Sequence, residues 1–347
     1  MPTNKLKLPV VLLILIVAVG AARFRPAPGA TEMTASAERF VESLTPTQRS
    51  QTLIAYDVPE RTDWHYIPKP SRKGLQVKEM DQGQRKAAFE LLQSSLSAVG
   101  YHKATTIMQL EGILRDLEKN RTGAPLRDPE RYYFTLFGKP AADARWGLSV
   151  EGHHLSLNFV VENNRVLSST PTFMGSNPGK LLADYGPEFK KDLRVLADEE
   201  MLAFDLLNAL TAEQKKKAVV ADKAPNDVRD AGKASPPLSP AAGLPASEMS
   251  PEQVAILQKL IAAYAHNLPA EVAAERLATI EADGIGGVAF SWQGADKPGI
   301  GHDYRVQGKS FLIEFNNTQP DSAGNPANHV HSVWHDLKGN FAIPVKG

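Results

Sequence analysis

Two histidines near the C-terminus, His329 and His331, flank a valine in a stretch whose alternation is typical of a β-strand. Alternate side chains of a strand share one face, so both imidazoles project together, about 6.5 to 7 Å apart along the backbone. This spacing allows the two rings to bind one metal ion. His302 and Glu314 lie on a predicted neighbouring hairpin. We expect His302 to be the third ligand, and Glu314 to be a fourth ligand or the base that activates a bound water.

The nature of this histidine site is open on residue types alone. Three histidines with a carboxylate suit one divalent ion of zinc, copper or iron. In that case we expect a metal-dependent enzyme, with hydrolysis as the favoured chemistry. A metal-free acid–base site of His329, His331 and Glu314 is an alternative, and a polar surface without chemistry is another. A different class is a noncatalytic module that binds a small polar ligand or an extracytoplasmic partner.

A second histidine pair, His153 and His154, occurs in the first half of the sequence. Adjacent side chains of a strand point to opposite faces, so at most one of the two enters a shared pocket. His154 shares the polar face with Asn158 and is a candidate catalytic residue, whereas His153 shares a face with apolar residues. His65 stands beside two aromatic residues, and it could line the same cleft. We expect His65 and Asn158 to bind substrate.

Amide side chains follow the predicted Glu314 strand at Asn317 and Gln319. Such amides position a ligand or cap a turn, and we include both among the substrate-binding candidates. The turn-rich loop at 168–179 directly follows the first β region, where loops often form the wall of a site.

Composition excludes several classes of protein. The 347-residue chain has 39 Lys and Arg against 39 Asp and Glu, so no net charge attracts nucleic acid. It has no cysteine, which excludes disulfides, thiolate zinc sites and iron–sulfur ligation. No glycine-rich phosphate-binding motif is present, so we expect no nucleotide cofactor. A nucleic-acid partner is not expected either.

The N-terminus has the order of a signal peptide. Lys5 and Lys7 precede an apolar run from Leu8 to Ala22, which small residues close. The run is shorter than the roughly 20 residues that span a bilayer, so a cleaved signal is favoured over a membrane anchor. Residues 23–34 then form a tether. We expect a periplasmic or extracellular protein, which contacts a membrane only if this segment is retained.

The rest of the chain repeats one plan, helices followed by antiparallel strands. Residues 146–159 align without a gap on residues 302–315. We therefore predict an α+β fold of two pseudo-repeated halves, 35–197 and 198–341, with a ligand between them. The repeated helix-capping boxes are Thr45 to Gln48 and Asp81 to Gln84 in the first half, and Thr211 to Gln214 and Ser250 to Gln253 in the second.

Further expectations concern the segments around these boxes. A second helix should follow in each half, at about 105–120 and 269–282. The Pro-rich stretch 222–249 should be irregular. The stretch 57–80 contains aromatic residues and should pack against the rest of the protein.

Four runs of sequence together resemble the uncharacterised domain-of-unknown-function family 3500: GHHLSLNF at 152–159, TPTFMGSNPG at 170–179, HDYRVQGKSFLIEFNNTQ at 302–319 and NHVHSVW at 328–334. The resemblance covers residues 35–341 and implies exported bacterial proteins without an established activity. It adds Arg305 and Asn328 to the substrate-binding candidates. Asn316 stands where the family more often has Asp, so no acid is assigned there. The recurring residues of the family fall on Trp64, His65, His153, His154, Asn158, His302, Arg305, Glu314, Asn317, Gln319, Asn328, His329 and His331.

Overall fold

The computed structural model describes residues 29–345. The predicted signal segment and residues 23–28 of the predicted tether lie outside the described residues. Within them the chain is a mixed α+β protein with eight α-helices and one thirteen-stranded sheet. No helix in the described range combines the length and the apolar character that crossing a membrane requires.

The helices occur in two groups, four before the first long strands and four after the seventh strand. They are α1 Ala30–Ser43, α2 Pro46–Thr52, α3 Gln82–Ser95, α4 Ala98–Glu118, α5 Ala197–Ala209, α6 Ala212–Ala218, α7 Pro251–Ala265 and α8 Ala270–Asp283.

The strands alternate with these groups. They are β1 Leu53–Ile54, β2 Leu75–Gln76, β3 Tyr133–Phe137, β4 Arg145–Gly152, β5 Leu155–Glu162, β6 Arg165–Ser168, β7 Thr172–Ser176, β8 Val219–Ala221, β9 Leu244–Pro245, β10 Ala289–Gly294, β11 His302–Gln307, β12 Phe311–Gln319 and β13 His329–Asp336.

All four predicted capping boxes are present and begin α2, α3, α6 and α7. In each, the hydroxyl or carboxylate at the N-cap accepts from the third helical N–H, and a glutamine accepts from the N-cap N–H. The helix predicted at 105–120 begins earlier, at Ala98, because the Ser97 hydroxyl accepts from the Gly100 N–H at 3.0 Å. The last predicted helix is α8, within one residue of its expected bounds.

The sheet runs in the order β1-β3-β4-β5-β7-β13-β12-β11-β10-β8, with β2, β6 and β9 paired on β3, β5 and β10. Strands β3, β4 and β5 form one antiparallel meander, and β10, β11 and β12 form another. The two meanders join through the antiparallel pair β7 and β13. This pair brings residues 172–176 beside residues 330–334.

The two faces of this sheet have different coverings. The helices cover one face and form the main core, to which Val330 and Trp334 of β13 belong. Val333 lies in a smaller cluster with Trp64, Tyr66 and others. Because alternate residues of a strand share a face, His329 and His331 project to the side of Val333. That second face is covered by the chain segments around residues 64 and 228, and we call it the loop-covered face.

The segment at 222–249 has no α-helix, as predicted, and contains only the two-residue β9 and a short 3₁₀ turn. It lies against the sheet, because the Arg229 guanidinium pairs with Glu314 and the Trp64 indole N–H donates to the Lys233 carbonyl at 2.7 Å. The stretch at 57–80 is packed down as expected, with Trp64 and Tyr66 buried.

Candidate metal centre

Three imidazoles converge on the loop-covered face of the sheet. The Nε2 atom of His154 lies 2.7 Å from Nε2 of His329 and 3.4 Å from Nε2 of His331. The Nε2 atoms of His329 and His331 are 3.1 Å apart. His154 and His331 are buried, and His329 is half-buried, so the cluster has one side toward solvent. One nitrogen of each ring is thus offered to a common point, the arrangement of a mononuclear metal site.

The backbone of β13 places two of these ligands, and a tight turn places the third. His329 and His331 are alternate residues of β13, as the sequence pattern predicts. His154 lies in the turn between β4 and β5 with a φ of 61°, a left-handed conformation that few non-glycine residues adopt. Its N–H donates to the Tyr66 carbonyl at 2.9 Å, and its carbonyl accepts from the Gly175 N–H at 2.8 Å. These backbone bonds hold the turn against β7.

Gly175 provides the space that the His154 ring occupies. It lies opposite His331 in the β7–β13 ladder. A Cβ atom at this position would stand 2.8 Å from the Val330 carbonyl oxygen and 3.1 Å from the His154 ring. Any side chain here would displace the ring or separate the strands, so the convergence of the three histidines requires glycine at this position.

A hydrogen-bond acceptor faces the outer nitrogen of the His331 ring. Nδ1 of His331 lies 2.6 Å from the Asp227 carboxylate. The His329 ring lies near the Pro320 carbonyl, and its Nδ1 atom is 3.4 Å from the Asn177 amide nitrogen. A carboxylate only accepts, so the Asp227 contact favours a proton on Nδ1 of His331 and a free electron pair on its Nε2. This is the outer hydrogen bonding typical of histidines that bind a metal ion.

The ionisation of the site fits metal binding. Burial lowers the pKa of His329 to about 3, with a further reduction from His331, and burial also holds the pKa of His154 well below its usual value. Burial alone would raise the pKa of Asp227, but the hydrogen bond and charge of His331 bring it below its ordinary value. Both histidines are therefore neutral near pH 7 and Asp227 is ionised, which is the state a metal site needs.

Aromatic rings form the wall beside the cluster. Tyr66 stacks on Phe173 with ring centroids 3.6 Å apart, and both rings meet His331 edge-on. Burial raises the pKa of Tyr66, and the neighbouring Asp227 charge raises it further. The Tyr66 hydroxyl therefore stays protonated beside the Asp227 carboxylate.

A buried charged network supports the turn from the other side. The His153 ring stacks on His154 at 3.7 Å, and its Nδ1 atom is 2.5 Å from the Glu111 carboxylate. Arg127 donates to His153 at 2.8 Å and to both carboxylate oxygens of Glu118. Helix α4 thus holds His153 in place. His153 faces this polar network, whereas its alternation with apolar residues predicts an apolar core position.

His302 does not join the cluster. It pairs with Asn317, which pairs with Val330, so its side chain lies on the helix-covered face. The ring stacks on Trp292 with centroids 5.4 Å apart, and its Nδ1 and Nε2 atoms lie near the Ile300 carbonyl and the Glu200 carboxylate. The three-histidine group thus contains His154 in place of the predicted His302.

Glu314 lies on the loop-covered face but is engaged elsewhere. Its carboxylate pairs with the guanidinium groups of Arg229 and Arg305, and it accepts from the Arg229 N–H at 3.0 Å. Glu314 is buried, with an exposed fraction of 1%. Two arginines neutralise this acid, so Glu314 and Arg305 form an ion-pair cluster that fixes the segment carrying Asp227.

The remaining predicted residues surround the cluster or support its loops. Asn317 accepts from the His329 N–H at 3.1 Å, and the Gln319 amide donates to the Asn226 carbonyl at 3.1 Å. Asn328 holds the Lys180 backbone through its side-chain amide, while Asn158 donates to the Pro171 carbonyl. His65 lies against Gly232, and burial lowers its pKa. These contacts fix the backbone around the three histidines.

Sequence reasoning did not identify Asp227, Tyr66 or Gly175 as parts of this site. Asp227 lies in the irregular connection, where no periodicity assigns a side chain to a face. Gly175 lies in the turn-rich loop at 168–179, and Tyr66 lies in the aromatic stretch at 57–80. The register that puts Gly175 opposite His331 and the ring contact of Tyr66 with His331 both require the structure.

The fold and site define an α+β protein with a buried group of three histidines able to hold one metal ion. Residues 27–343 match the sequence family described as "Protein of unknown function (DUF3500)". The chain therefore belongs to that family. No curated protein and no solved structure matches it.

Proposed function

We propose that the protein is a metal-dependent enzyme that holds one divalent ion on His154, His329 and His331. The observation that carries the proposal is the convergence of three Nε2 atoms at separations of 2.7 to 3.4 Å. Ligands about 2.0 to 2.1 Å from a tetrahedral ion are about 3.3 Å apart, close to these values. The Asp227 carboxylate at Nδ1 of His331 leaves an electron pair on Nε2 of that ring, which is free to bind a cation between the three histidines.

Hydrolysis is the reaction that this arrangement supports best. A three-histidine ion keeps an open position, acts as a Lewis acid and brings the pKa of a bound water toward neutrality. Asp227 holds the proton of His331 on Nδ1 and so fixes the ring. The half-buried side at His329 is the approach for substrate.

Metal content tests this proposal. We expect wild-type protein, purified without a histidine tag, to contain near-stoichiometric zinc, copper or iron by plasma mass spectrometry. The His329→Ala/His331→Ala variant should lose the metal. His335→Ala is the matched control, because His335 is also buried on β13 and lies outside the cluster. A folded wild-type protein that stays metal-free after incubation with each ion would overturn the proposal.

A screen of ester, phosphodiester and amide substrates distinguishes an enzymatic function from noncatalytic ligand binding. Turnover that follows the metal content across the three proteins supports hydrolysis. Stoichiometric metal without turnover of any substrate would reject hydrolysis and favour a noncatalytic ligand-binding role.

We also propose that the protein is exported. Support comes from the basic residues Lys5 and Lys7 followed by the apolar run Leu8–Ala22, which lie outside the described residues. Fusion of alkaline phosphatase to the C-terminus should give active enzyme outside the cytoplasm. An inactive fusion confined to the cytoplasm would contradict export.

We infer that the two halves arose from one duplicated unit. Matching contacts support this: Gln48 donates to Gln84 at 3.0 Å and Gln214 donates to Gln253 at 2.9 Å, each between equivalent capping boxes. The two meanders add to it. An experimental structure tests the inference: residues 35–197 and 198–341 should superpose in one chain order, and a different order of elements would refute it.

A further inference from the structure

Asn177 lies between the histidine cluster and the chain around Ser322. Its side chain is buried, with an exposed fraction of 4%. The Ser322 N–H donates to Oδ1 of Asn177 at 3.3 Å, and because a backbone N–H only donates, this bond fixes the orientation of the amide. The amide nitrogen then lies 3.5 Å from the Ser322 hydroxyl and 3.4 Å from Nδ1 of His329. Asn177 therefore presents a donor to the His329 ring.

Glu118 gives these hydrogen bonds one direction. The Ser322 hydroxyl donates to the Glu118 carboxylate at 2.7 Å, and Arg127 donates to both carboxylate oxygens. Burial alone would raise the pKa of Glu118, but the hydrogen bonds from Arg127 and Ser322 bring it below its ordinary value. The carboxylate is therefore ionised near pH 7 and only accepts. Because the Ser322 hydroxyl donates its hydrogen to Glu118, its oxygen is left to accept from Asn177.

The donor at Nδ1 determines which nitrogen of His329 carries the ring proton. A neutral imidazole has one N–H and one free electron pair, so a ring that accepts at Nδ1 carries its hydrogen on Nε2. That hydrogen points into the cluster, where Nε2 of His154 lies at 2.7 Å and Nε2 of His331 at 3.1 Å. Asp227 leaves an electron pair on Nε2 of His331, and only one hydrogen fits between two nitrogens 2.7 Å apart. One proton on His329 therefore meets an acceptor on each of the other two rings.

Metal binding requires the other tautomer of His329. An ion uses the electron pair of Nε2, so the ring proton has to be on Nδ1, where the Asn177 amide nitrogen is a poor partner because it also donates. The Pro320 carbonyl lies near the ring and only accepts, so it opposes the effect of Asn177. The affinity for an ion is reduced in proportion to the fraction of the protein that has the competent tautomer.

We propose that Asn177 is a positioning residue that keeps the His329 proton on Nε2 and thereby weakens metal binding. The inference rests on the proposed function, since it concerns the affinity of the same three histidines. His331 and His329 then have different roles. Asp227 holds His331 in the tautomer that binds an ion, whereas His329 changes its tautomer when the ion binds. The centre therefore binds its ion more weakly than the positions of the three nitrogens alone would allow.

Nuclear magnetic resonance measures the tautomer directly. The full chain, labelled with ¹⁵N-histidine and treated with a chelator, gives different ring-nitrogen resonances for the two tautomers, and a His329→Ala variant assigns those of His329. We expect the His329 proton on Nε2 in the chelator-treated wild type and on Nδ1 after zinc is added. In Asn177→Asp the new carboxylate only accepts, so the proton should be on Nδ1 before zinc is added. A purely structural role of Asn177 would not move this proton.

Zinc affinity provides the second measurement, by competition with a chromogenic chelator. Asn177→Asp should bind zinc at least about tenfold more tightly than the wild type, because His329 is then already in the competent tautomer. Asn226→Asp is the matched control for the added negative charge. Asn226 is exposed and adjacent to Asp227, and among residues 29–345 only its backbone carbonyl takes part in side-chain hydrogen bonds. This control should bind zinc like the wild type.

Two results would overturn the proposal. One is a proton on Nδ1 of His329 in the chelator-treated wild type, which would show that Pro320 prevails over Asn177 and decides the question even if Asn177→Asp does not fold. The other is equal zinc affinity in Asn177→Asp and Asn226→Asp. Failure of the metal centre is distinguishable from both results. A wild type that carries the His329 proton on Nε2 but binds no ion would reject the metal centre and still support the effect of Asn177 on the tautomer.

Discussion

His302 and His331 lie on strands of the same sheet, each with a carboxylate within 3.3 Å, yet they differ in what their nitrogens do. At His302 one nitrogen faces the Ile300 carbonyl and the other faces Glu200. At His331 the carboxylate of Asp227 takes only Nδ1, and Nε2 points toward two other histidines. A histidine becomes a candidate ligand when its second nitrogen is left free by its surroundings.

The two histidines differ because their side chains project to opposite faces of the sheet. His302 projects to the helix-covered side, where aromatic rings of Trp292, Phe204 and Phe315 enclose it. His331 projects to the side covered by irregular segments, which bring Asp227 and leave His329 half-buried. On the helix-covered side both nitrogens of His302 face an acceptor, whereas under the irregular covering Nε2 of His331 faces only the other two histidines.

The largest expected effect separates the two histidines directly. His331→Ala should reduce metal affinity by more than the roughly 100-fold typical of changes outside the ligands. His302→Ala should keep wild-type metal affinity and lower the free energy of unfolding by about 2 to 4 kcal/mol, through loss of a packed ring. Competition with a chromogenic chelator and urea unfolding measure the two quantities. Loss of metal in a folded His302→Ala protein would contradict the conclusion that His302 lies outside the metal site.

A pH effect tests the ionisation of the loop-covered face. Burial raises the pKa of Asp303 to about 7, so the native state keeps a proton that the unfolded state has released above its ordinary pKa of 3.8. Stability is therefore lost as pH rises through this window. Between pH 5 and 7 the loss should be about 2 to 3 kcal/mol.

Asp303→Asn removes this titration. Urea unfolding at pH 5, 6 and 7 should show the Asn variant gaining stability relative to wild type as pH rises. Parallel pH profiles for the two proteins would show that Asp303 is ionised in the native state.

The role of Asp227 is the next smaller effect. Asp227→Asn keeps the size of the side chain but weakens the hold on the His331 proton, so metal affinity should fall about 10- to 100-fold. Asp230→Asn is the control, because Asp230 is in the same segment and pairs only with Lys233 among described residues. Equal affinities in the two variants would remove Asp227 from the site.

Gly175 gives the smallest predicted change. Gly175→Ala should weaken metal binding about tenfold, because a Cβ at this position crowds the His154 ring. Gly147→Ala is the control, since the atoms nearest to its Cβ would belong to Phe159 in β5 and Phe137 in β3. Wild-type affinity in Gly175→Ala would show that the ring position is not set by this glycine.

Much of the fold could be predicted because its signals are local. A capping box at Ser250 needs only Gln253 three residues later, and the alternation around His331 assigns its face within one strand. The third ligand could not be predicted in this way. His154 reaches the cluster through the pairing of β7 with β13 and through a turn with positive φ. The residues near His154 in the sequence predict neither property.

The prediction of His302 as a ligand also depended on a strand register that the sequence does not give. Nearness along the chain suggested a ligand, because β11 and β12 are adjacent to β13 in order. The register His302 to Asn317 to Val330, however, puts this ring on the far side of the sheet from His331. One residue of register reverses the face, so only a known pairing decides such cases.

His154 reaches over Gly175 of β7 to meet the histidines of β13, and this has a consequence for the integrity of the chain. β7 and β13 form the seam where the two meanders meet. An ion held by the three histidines would link the two strands across this seam, and it would stabilise the joined state by RT ln(1 + [ion]/Kd). In a cell that lacks the metal, the junction between the two meanders would then be less stable, and the proposed metal-dependent reaction would also be reduced.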